Sequence, residues 1–209
     1  MINKINGLYL ILSDPVVGYE KATQAAVDAY VPFIQLRIKN ASLESIIKKA
    51  REIKKITYQS KTSLVINDYI KVAIEVDADA IHVGQNDTSI KEIKNMWNMP
   101  NKLIGISTHN LKQARIAEAN GADYIGIGPI YNTYSKRNLD PLIGIKEGNR
   151  IASSVKCKTV AIGGINATNL KDFRNTNFNA FCVLGAVNNS NQPKQVIKKL
   201  QEEWEDVKV

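Results

Sequence analysis

Cysteine is scarce in this sequence, whose 209 residues include only Cys157 and Cys182. The two lie far apart and form no CxxC or zinc-like spacing, which excludes a disulfide framework and a cysteine-based metal site. No apolar run approaches the roughly 18 residues of a membrane span. Little basic or apolar length precedes the strand-like segment at Leu8, too little for a secretory signal. We therefore expect two ordinary thiols in a cytoplasmic protein.

Aromatic residues are also few, at 7%, whereas Lys and Arg exceed Asp and Glu by 28 to 20 and give a net charge of +8. Such a charge raises nucleic acid as a partner. The lysines, however, are spread over helix-like segments such as 46–55 and 194–199. No aromatic side chains alternate with them to stack on bases. Solvated helix faces therefore explain the charge better, although a basic RNA-binding barrel stays as an alternative of a different class.

Short apolar or β-branched runs alternate with longer stretches of helical period. In the clearest helical stretch, 43–60, apolar residues recur at intervals of three and four, and Asn110 and Gly121 mark the start and stop of another helix. A strand followed by a helix, repeated eight times, predicts a (β/α)8 TIM barrel. The predicted strands are 8–14, 33–39, 63–68, 80–85, 102–108, 124–130, 159–165 and 180–186.

A doubly wound open sheet is the competing fold. It would normally carry a glycine fingerprint after its first strand, and no GxGxxG follows Leu8 here. No low-complexity segment or break in composition divides the chain. We therefore expect residues 1–209 to form one barrel domain.

Polar residues gather after the predicted strands, at the ends that converge on the active-site rim of a barrel. They are Asp14 after the first strand, Gln35, Arg37 and Lys39 along the second, Asn67 and Asp68 after the third, Gln85 and Asp87 after the fourth, Ser107 and His109 after the fifth, Gly163 and Gly164 after the seventh, and Gly185 after the eighth. The loop 130–140 after the sixth adds Thr133, Ser135, Lys136 and Arg137. By itself, a solvated loop would explain those four.

Anion binding is the function that these residues favour. Gly163 and Gly164 precede a helix-like segment, 166–173, so their backbone can approach a phosphate closely. Arg37 and Lys39 alternate with Gln35 and so share its face, which suggests a diphosphate ligand. Pairing with Asp68 and Asp87 is the alternative, and those carboxylates could also hold Mg²⁺ against a diphosphate.

The two histidines say less about function than the anion-binding residues do. His82 lies inside a predicted strand and is expected to be packed or to support the site indirectly. His109 follows Ser107 at the rim, where it could transfer a proton or begin a helix with a bond to the backbone. Trp97 and Trp204 are expected to cover the barrel's exterior.

The ordered segments QLRIK, IND, HVGQND, GISTH, GADYIGIGPIYNTYSK, DPLIG and AIGGI resemble the thiamine phosphate synthase family over residues 8–187. The resemblance implies a (β/α)8 barrel that joins 4-amino-2-methyl-5-hydroxymethylpyrimidine diphosphate to a thiazole phosphate, giving thiamine phosphate and pyrophosphate. It implies Mg²⁺ as cofactor and the two small molecules as partners, without nucleic acid or membrane. A homo-oligomer is compatible with it.

The resemblance also assigns roles to individual residues. It implies that Gln35, Arg37, Lys39 and Asn67 hold the pyrimidine diphosphate, that Asp68 and Asp87 bind Mg²⁺, that Ser107 and Lys136 contact the pyrimidine substrate and its diphosphate, and that Thr133, Ser135, Gly164, Leu184 and Gly185 lie at the thiazole phosphate. The catalytic contribution is expected from Arg37, Lys39, Ser107 and Lys136.

The chain departs from the family pattern at three positions. Gly185 replaces a usual serine, Tyr134 a usual proline and Ser135 a common threonine. A related thiazole tautomerase, which also carries a histidine where His109 stands, is the nearest alternative. That branch lacks the paired carboxylates and the QLRxK arrangement, so it resembles this chain less.

Overall fold

Eight parallel strands close into a barrel in the order in which they occur along the chain, and β1 pairs with β8. The structure is a computed structural model that describes residues 5–97, 99–133 and 141–208. The closed order confirms the predicted TIM barrel and excludes the open sheet. The strands are β1 Gly7–Leu12, β2 Phe33–Leu36, β3 Ser63–Asn67, β4 Ala80–Val83, β5 Leu103–Thr108, β6 Tyr124–Ile127, β7 Lys158–Ala161 and β8 Ala180–Val183.

Helices surround this barrel, and several begin where capping side chains stand. Ser42, Ser89 and Asn110 each accept a hydrogen bond from a first-turn amide, and Ser89 forms a full capping box with Glu92. The helices are α1 Tyr19–Asp28, α2 Leu43–Thr57, α3 Ile70–Glu75, α4 Ile90–Met96, α5 Leu111–Ala119, α6 Gly144–Ala152, α7 Gly185–Asn188 and α8 Pro193–Lys208.

The prediction of an α-helix-like segment after β7 is wrong. The segment 166–173 contains only a short 3₁₀ turn, Leu170–Phe173. Asn166 and Asn169 turn their side chains onto nearby backbone, Asn166 accepting from the Thr168 amide and Asn169 donating to the Gly164 carbonyl. Such local side-chain bonds compete with regular helix formation.

Two apolar regions stabilise the fold. The larger lies between the strands and the helices, and it buries Trp97 and Trp204, which confirms their expected place outside the barrel. The smaller fills the barrel with Ile5, which precedes β1, and with inward residues of the strands: Tyr9, Ile11, Phe33, Val65, Ala80, Tyr124, Val160, Ala180 and Cys182. Because these side chains fill the inside of the barrel, a binding site can open only at the carboxyl ends of the strands.

Most strands end earlier than predicted. The segment 124–130 was expected to be one strand, but β6 stops at Ile127. Beyond it the chain still bonds to the neighbouring loop, since the amides of Ile130 and Tyr131 donate to the carbonyls of Ile162 and Gly163. The apolar segments therefore extend past the sheet and build the rim. Among the described helices, none has the length and apolarity that crossing a membrane requires.

Candidate active site

A cavity of about 390 Å³ opens at the carboxyl ends of the strands. It joins residues that are far apart in the sequence, from β1, the end of β2, β5, β6 and the loops after β6, β7 and β8. Seven of the residues singled out from the sequence for the site or its phosphate line it: Arg37, Ser107, Thr133, Gly163, Gly164, Leu184 and Gly185. His109 lines it as well. The cavity does not include Gln35, Lys39, Asn67, Asp68 or Asp87, which lie beside it on β2, β3 and β4 or their ends.

The predicted alternation along β2 is present. Gln35 is buried inside the barrel, Arg37 lines the cavity, and the intervening Leu36 is buried in the outer core. The Arg37 amide bonds to the Leu12 carbonyl at 2.9 Å, so the β1 pairing continues one residue beyond the strand. The alternation thereby brings an amide and a guanidinium to the same side of the sheet.

Asp68 and Asp87 stand close enough to influence each other at the ends of β3 and β4. Asp68 adopts a left-handed backbone with φ of 63° and forms an ion pair with Lys39. Asp87 accepts a 2.7 Å hydrogen bond from the Gly84 amide. Partial burial and, beyond it, the charge of Asp68 hold the pKa of Asp87 above its ordinary value. The Lys39–Asp68 pair matches one alternative from the sequence.

A chain of hydrogen bonds crosses the barrel interior, and sequence reasoning missed two of its members, Tyr9 and Tyr124. Gln35 Nε2 lies 2.8 Å from Tyr9 Oη, which lies 2.9 Å from Tyr124 Oη. His82 links Tyr124 Oη at 3.2 Å to Ser107 Oγ at 3.0 Å. His82 thus bonds to Ser107 from inside the barrel, and an indirect role in the site stays a prediction. Its two tyrosine partners occupy inward positions on β1 and β6, which alternation alone could have indicated.

Two glycines shape the loop after β7. Gly163 and Gly164 have φ of 103° and 65°, and a Cβ on Gly164 would lie 2.4 Å from the Asn132 carbonyl oxygen. The carbonyls of residues 162, 163 and 164 bond to the Ile130 amide, the Tyr131 amide and Asn169 Nδ2. Since N–H and C=O point in opposite directions in a trans peptide, the amides of residues 163–165 point away from these partners.

Asn188 fixes the loop after β8, and nothing in the sequence had singled it out. Its buried Nδ2 donates to the carbonyls of Ile11 and Leu184, each at 2.7 Å, and its Oδ1 accepts from the Ser13 amide at 2.9 Å. The segment Leu184–Gly185, which lines the cavity, is thereby bound to the end of β1.

His109 bonds to the backbone, as in one of the two alternatives considered for it, and the other, proton transfer, stays a prediction. Its Nδ1 donates to the Gly128 carbonyl at 2.7 Å, and its amide donates to Gln113 Oε1 at 2.7 Å near the start of α5. Its ring nevertheless lines the cavity. The bond to a carbonyl requires a proton on Nδ1, which fixes that tautomer when the ring is neutral.

Part of the predicted site lies outside the described residues, namely Ser135 and Lys136, together with the neighbouring Tyr134 and Arg137. In the described ranges, no group of three or more His, Cys, Asp or Glu side chains is placed to hold a metal ion. A cation at Asp68 and Asp87 would therefore need oxygen ligands from substrate or water.

Fold and site together define a class: a (β/α)8 barrel with a partly polar, cation-bearing cavity at the carboxyl ends of its strands. The family model described as "Thiamine monophosphate synthase" matches residues 8–187. The chain belongs to this family.

Individual relatives agree. The chain is 37% identical over 184 residues to a thiamine-phosphate synthase of Clostridium botulinum (strain Loch Maree / Type A3), covering 87% of this chain and 89% of the relative. It is 39% identical over 171 residues to that of Shouchella clausii (strain KSM-K16), covering 82% and 79%. The structure of a thiamine phosphate pyrophosphorylase from Pyrococcus furiosus superposes with a TM-score of 0.88 at 29% identity over 98% of each chain.

Proposed function

We propose that the chain is a transferase that joins 4-amino-2-methyl-5-hydroxymethylpyrimidine diphosphate to a thiazole phosphate, releasing thiamine phosphate and pyrophosphate. The observation that carries this function is the family match over residues 8–187. The superposition on the Pyrococcus furiosus structure, which covers 98% of each chain, agrees with it. The described residues among those assigned to the two substrates from the sequence lie at the carboxyl ends of the strands or in the loops that follow them, which supports a reaction between two bound molecules.

The pyrimidine diphosphate is assigned to the β2–β5 side of the rim. By the family resemblance, Gln35 and Ser107 would contact this substrate, and the interior hydrogen-bonded chain holds both side chains in place. Arg37 and Lys39 would stabilise the diphosphate as fixed cations, with Asn67 beside them and Lys136 from the loop after β6. The roles of Lys136 and of Ser135 rest on the family resemblance alone.

Asp68 and Asp87 fit a magnesium site. Burial and the nearby charge of Asp68 raise the pKa of Asp87, and a place where one carboxylate adds to the negative charge around another favours a divalent cation. Mg²⁺ in proteins is commonly held by one or two carboxylates together with substrate phosphates and water. When bound, Mg²⁺ supplies positive charge that stabilises the departing diphosphate. Lys39 already pairs with Asp68, so its ammonium group stands next to the same ligand oxygens.

The thiazole phosphate is assigned to the opposite side, at the loops after β6, β7 and β8. Gly164 and Gly185 allow close approach of the backbone, and the amides of residues 163–165 point away from their carbonyl partners. Thr133 and Leu184 line the same cavity, and Ser135 would join them. Amides without a charged side chain can still bind phosphate, because N–H groups aimed at one point form an anion site.

The proposed reaction needs no nucleophile from the protein. The bond between the pyrimidine's methylene carbon and the diphosphate oxygen breaks, and the electron pair leaves with pyrophosphate. The 4-amino group of the ring stabilises the cation that develops. The thiazole nitrogen then donates its electron pair to that carbon, forming the new C–N bond. The protein's contribution is to place the two substrates and to stabilise negative charge on the leaving group.

Three further assignments complete the proposal: residues 1–209 act as one barrel domain, the setting is cytoplasmic, and a homo-oligomer is compatible with the fold. Burial first, and then the charge of Glu118, raise the pKa of Cys157 to about 11, so this thiol has little reactive thiolate at neutral pH.

The deciding experiment measures release of pyrophosphate when both substrates and Mg²⁺ are present. We expect release to require all three, and to vanish on chelation and in Asp87→Ala, which should remain folded. Asp206→Ala, an exposed carboxylate on α8, is the matched control and should retain full activity. Absence of release with folded protein would refute the proposal. RNA binding that depends on salt but is unaffected by Mg²⁺ or the pyrimidine diphosphate would favour the RNA-binding alternative.

A further inference from the structure

The hydrogen-bonded chain inside the barrel has a direction, which follows from its first member. Gln35 is 2% exposed, and its amide nitrogen, which can only donate, faces Tyr9 Oη at 2.8 Å. Tyr9 therefore accepts that bond and has its own hydrogen left for Tyr124 Oη, 2.9 Å away. With the Tyr9 hydrogen on Tyr124, the next acceptor along the chain for the Tyr124 hydrogen is His82 Nδ1, at 3.2 Å.

The direction continues through His82 to the cavity. Because Nδ1 accepts from Tyr124, the neutral imidazole must carry its proton on Nε2, which donates to Ser107 Oγ at 3.0 Å. Ser107 Oγ thus accepts a hydrogen bond from His82, and its own hydroxyl hydrogen is left to donate to another acceptor. At the opposite end, Gln35 has used its nitrogen on Tyr9 and keeps Oε1 as an acceptor. The two ends of the chain therefore present opposite groups: an acceptor on Gln35 and a donor on Ser107.

We propose that Tyr9, Tyr124 and His82 are positioning residues that set this donor and acceptor order, and so select a ring that carries a hydrogen-bond donor beside an acceptor. An aminopyrimidine edge has this arrangement, since its 4-amino group donates and the adjacent ring nitrogen accepts. The 4-oxo ring has the reverse, with a carbonyl that accepts beside an N–H that donates. The inference rests on the proposed function, because it takes Gln35 and Ser107 as the residues that meet the pyrimidine.

Packing explains why the chain cannot easily reverse. Tyr9 and Tyr124 are fully enclosed, and burial raises the pKa of both, so both keep their hydrogens at neutral pH. The Tyr124 ring fills space that a side chain at residue 105 would occupy, since a Cβ on Gly105 would lie 2.1 Å from it. Reversing the chain would require the Gln35 amide to rotate by half a turn in a buried site. A mismatched ring would instead leave polar groups unpaired, which sites of this kind reject strongly.

The test compares binding of two unreactive ligands in the presence of Mg²⁺. Both are pyrimidine diphosphate analogues with a methylene group in place of the ester oxygen; one carries the 4-amino group and the other a 4-oxo group. We expect the wild-type protein to bind the 4-amino ligand at least about 100-fold more tightly. Tyr9→Phe removes the hydroxyl that fixes the orientation of the Gln35 amide. Tyr124→Phe removes the hydroxyl that fixes the His82 tautomer. Each should lower this preference at least about tenfold, mainly by weakening binding of the 4-amino ligand.

The matched control is Thr159→Val. Thr159 is also a buried hydroxyl, bonded to the Asn177 carbonyl at 3.3 Å, but it lies near the opposite, amino-terminal end of the barrel. This variant should lose stability while keeping the wild-type preference. Equal binding of the two ligands by wild type, a preference for the 4-oxo ligand, or an unchanged preference in both tyrosine variants would overturn the inference. Failure of wild type to bind either ligand would instead overturn the proposed function beneath it.

Discussion

Asp87 is a residue whose charge the folded protein disfavours. Burial and the neighbouring Asp68 raise its pKa, so ionised Asp87 costs stability, and this cost sets in as the pH rises through that pKa. Asp87→Asn removes the charge and can keep the bond from the Gly84 amide. In a chelator at neutral pH, we expect the variant to melt roughly 1–2 °C higher than wild type, a small change because the site is partly solvated.

Adding magnesium should make wild type, rather than Asp87→Asn, the protein with the higher melting temperature. Adding Mg²⁺ with pyrophosphate should raise the melting temperature of wild type by mass action and leave Asp87→Asn almost unaffected, with most of the activity lost. Differential scanning calorimetry of both proteins, with and without the cation, measures this directly. Asp206→Asn serves as the control and should follow wild type throughout. A lower melting temperature of Asp87→Asn in chelator, or a full response to Mg²⁺, would contradict the assignment of Asp87 as a ligand.

Gly185 is a second residue where a single change should be informative, because a serine there would restore the usual hydroxyl. Gly185 does not belong to the glycines with positive φ, so a side chain brings no backbone strain. Gly185→Ser should lower the apparent KM for the thiazole phosphate about two- to fivefold, the effect of one added hydrogen bond. The KM for the pyrimidine diphosphate should stay unchanged. Steady-state kinetics with each substrate varied in turn test this, and the opposite pattern would mean that the two subsites are exchanged.

At the scale of elements, the loops after β6 and β7 pack against each other and share hydrogen bonds. Gly164 has φ of 65°, and an added Cβ would meet the Asn132 carbonyl at 2.4 Å and the Tyr131 Cβ at 2.7 Å. Gly164→Ala should therefore displace the segment Asn132–Thr133 and cost about 1–3 kcal/mol of unfolding free energy. We expect a larger rise in KM for the thiazole phosphate than for the pyrimidine diphosphate. Gly144→Ala is the control for strain alone, because Gly144 has φ of 72° with open space around it.

The loop after β8 depends in the same way on Asn188, whose amide connects Ile11, Ser13 and Leu184. Asn188→Ala leaves those backbone groups without their partner and frees Leu184–Gly185. We expect the KM for the thiazole phosphate to rise about tenfold, with little change for the pyrimidine diphosphate. Asn179→Ala is the matched control, because Asn179 Oδ1 accepts from the Thr159 amide at the other end of the barrel. Equal effects of the two substitutions on KM would mean that Asn188 acts only through stability.

The same elements show what the sequence could and could not predict. Strand and helix alternation is local, so all eight strands were found, and capping by Asn110 marked the start of α5. Strand ends were missed because apolar residues such as Ile130 continue beyond the sheet to pack under the rim loops. Tyr9 and Tyr124 lie 115 residues apart, and Ser13 and Asn188 lie 175 apart. Which of these side chains meet is fixed by closure and stagger of the barrel, which no local pattern specifies.

At the scale of the whole molecule, the net charge of +8 acquires a use if the substrates are polyanions. A positive protein attracts a diphosphate over distances up to the Debye length, about 30 Å at 0.01 M salt and about 8 Å at 0.15 M. The attraction concerns encounter and binding rather than the bond-breaking step. We therefore expect kcat/KM for the pyrimidine diphosphate to fall on the order of tenfold as potassium chloride is raised at constant free Mg²⁺, while kcat stays nearly constant.

Charge far from the cavity should contribute to this effect, which separates it from the local action of Arg37 and Lys39. Charge reversal to glutamate at three exposed helix positions, Lys48, Lys55 and Lys199, lowers the net charge from +8 to +2. The triple variant should show a lower kcat/KM than wild type at about 0.02 M ionic strength and the same value at about 0.5 M, where screening removes the long-range field. Replacing the same lysines by arginine keeps the charge and should reproduce wild type. If the reversed variant matches wild type at both ionic strengths, the distributed charge has no part in capturing the substrate, and only the cations at the rim attract it.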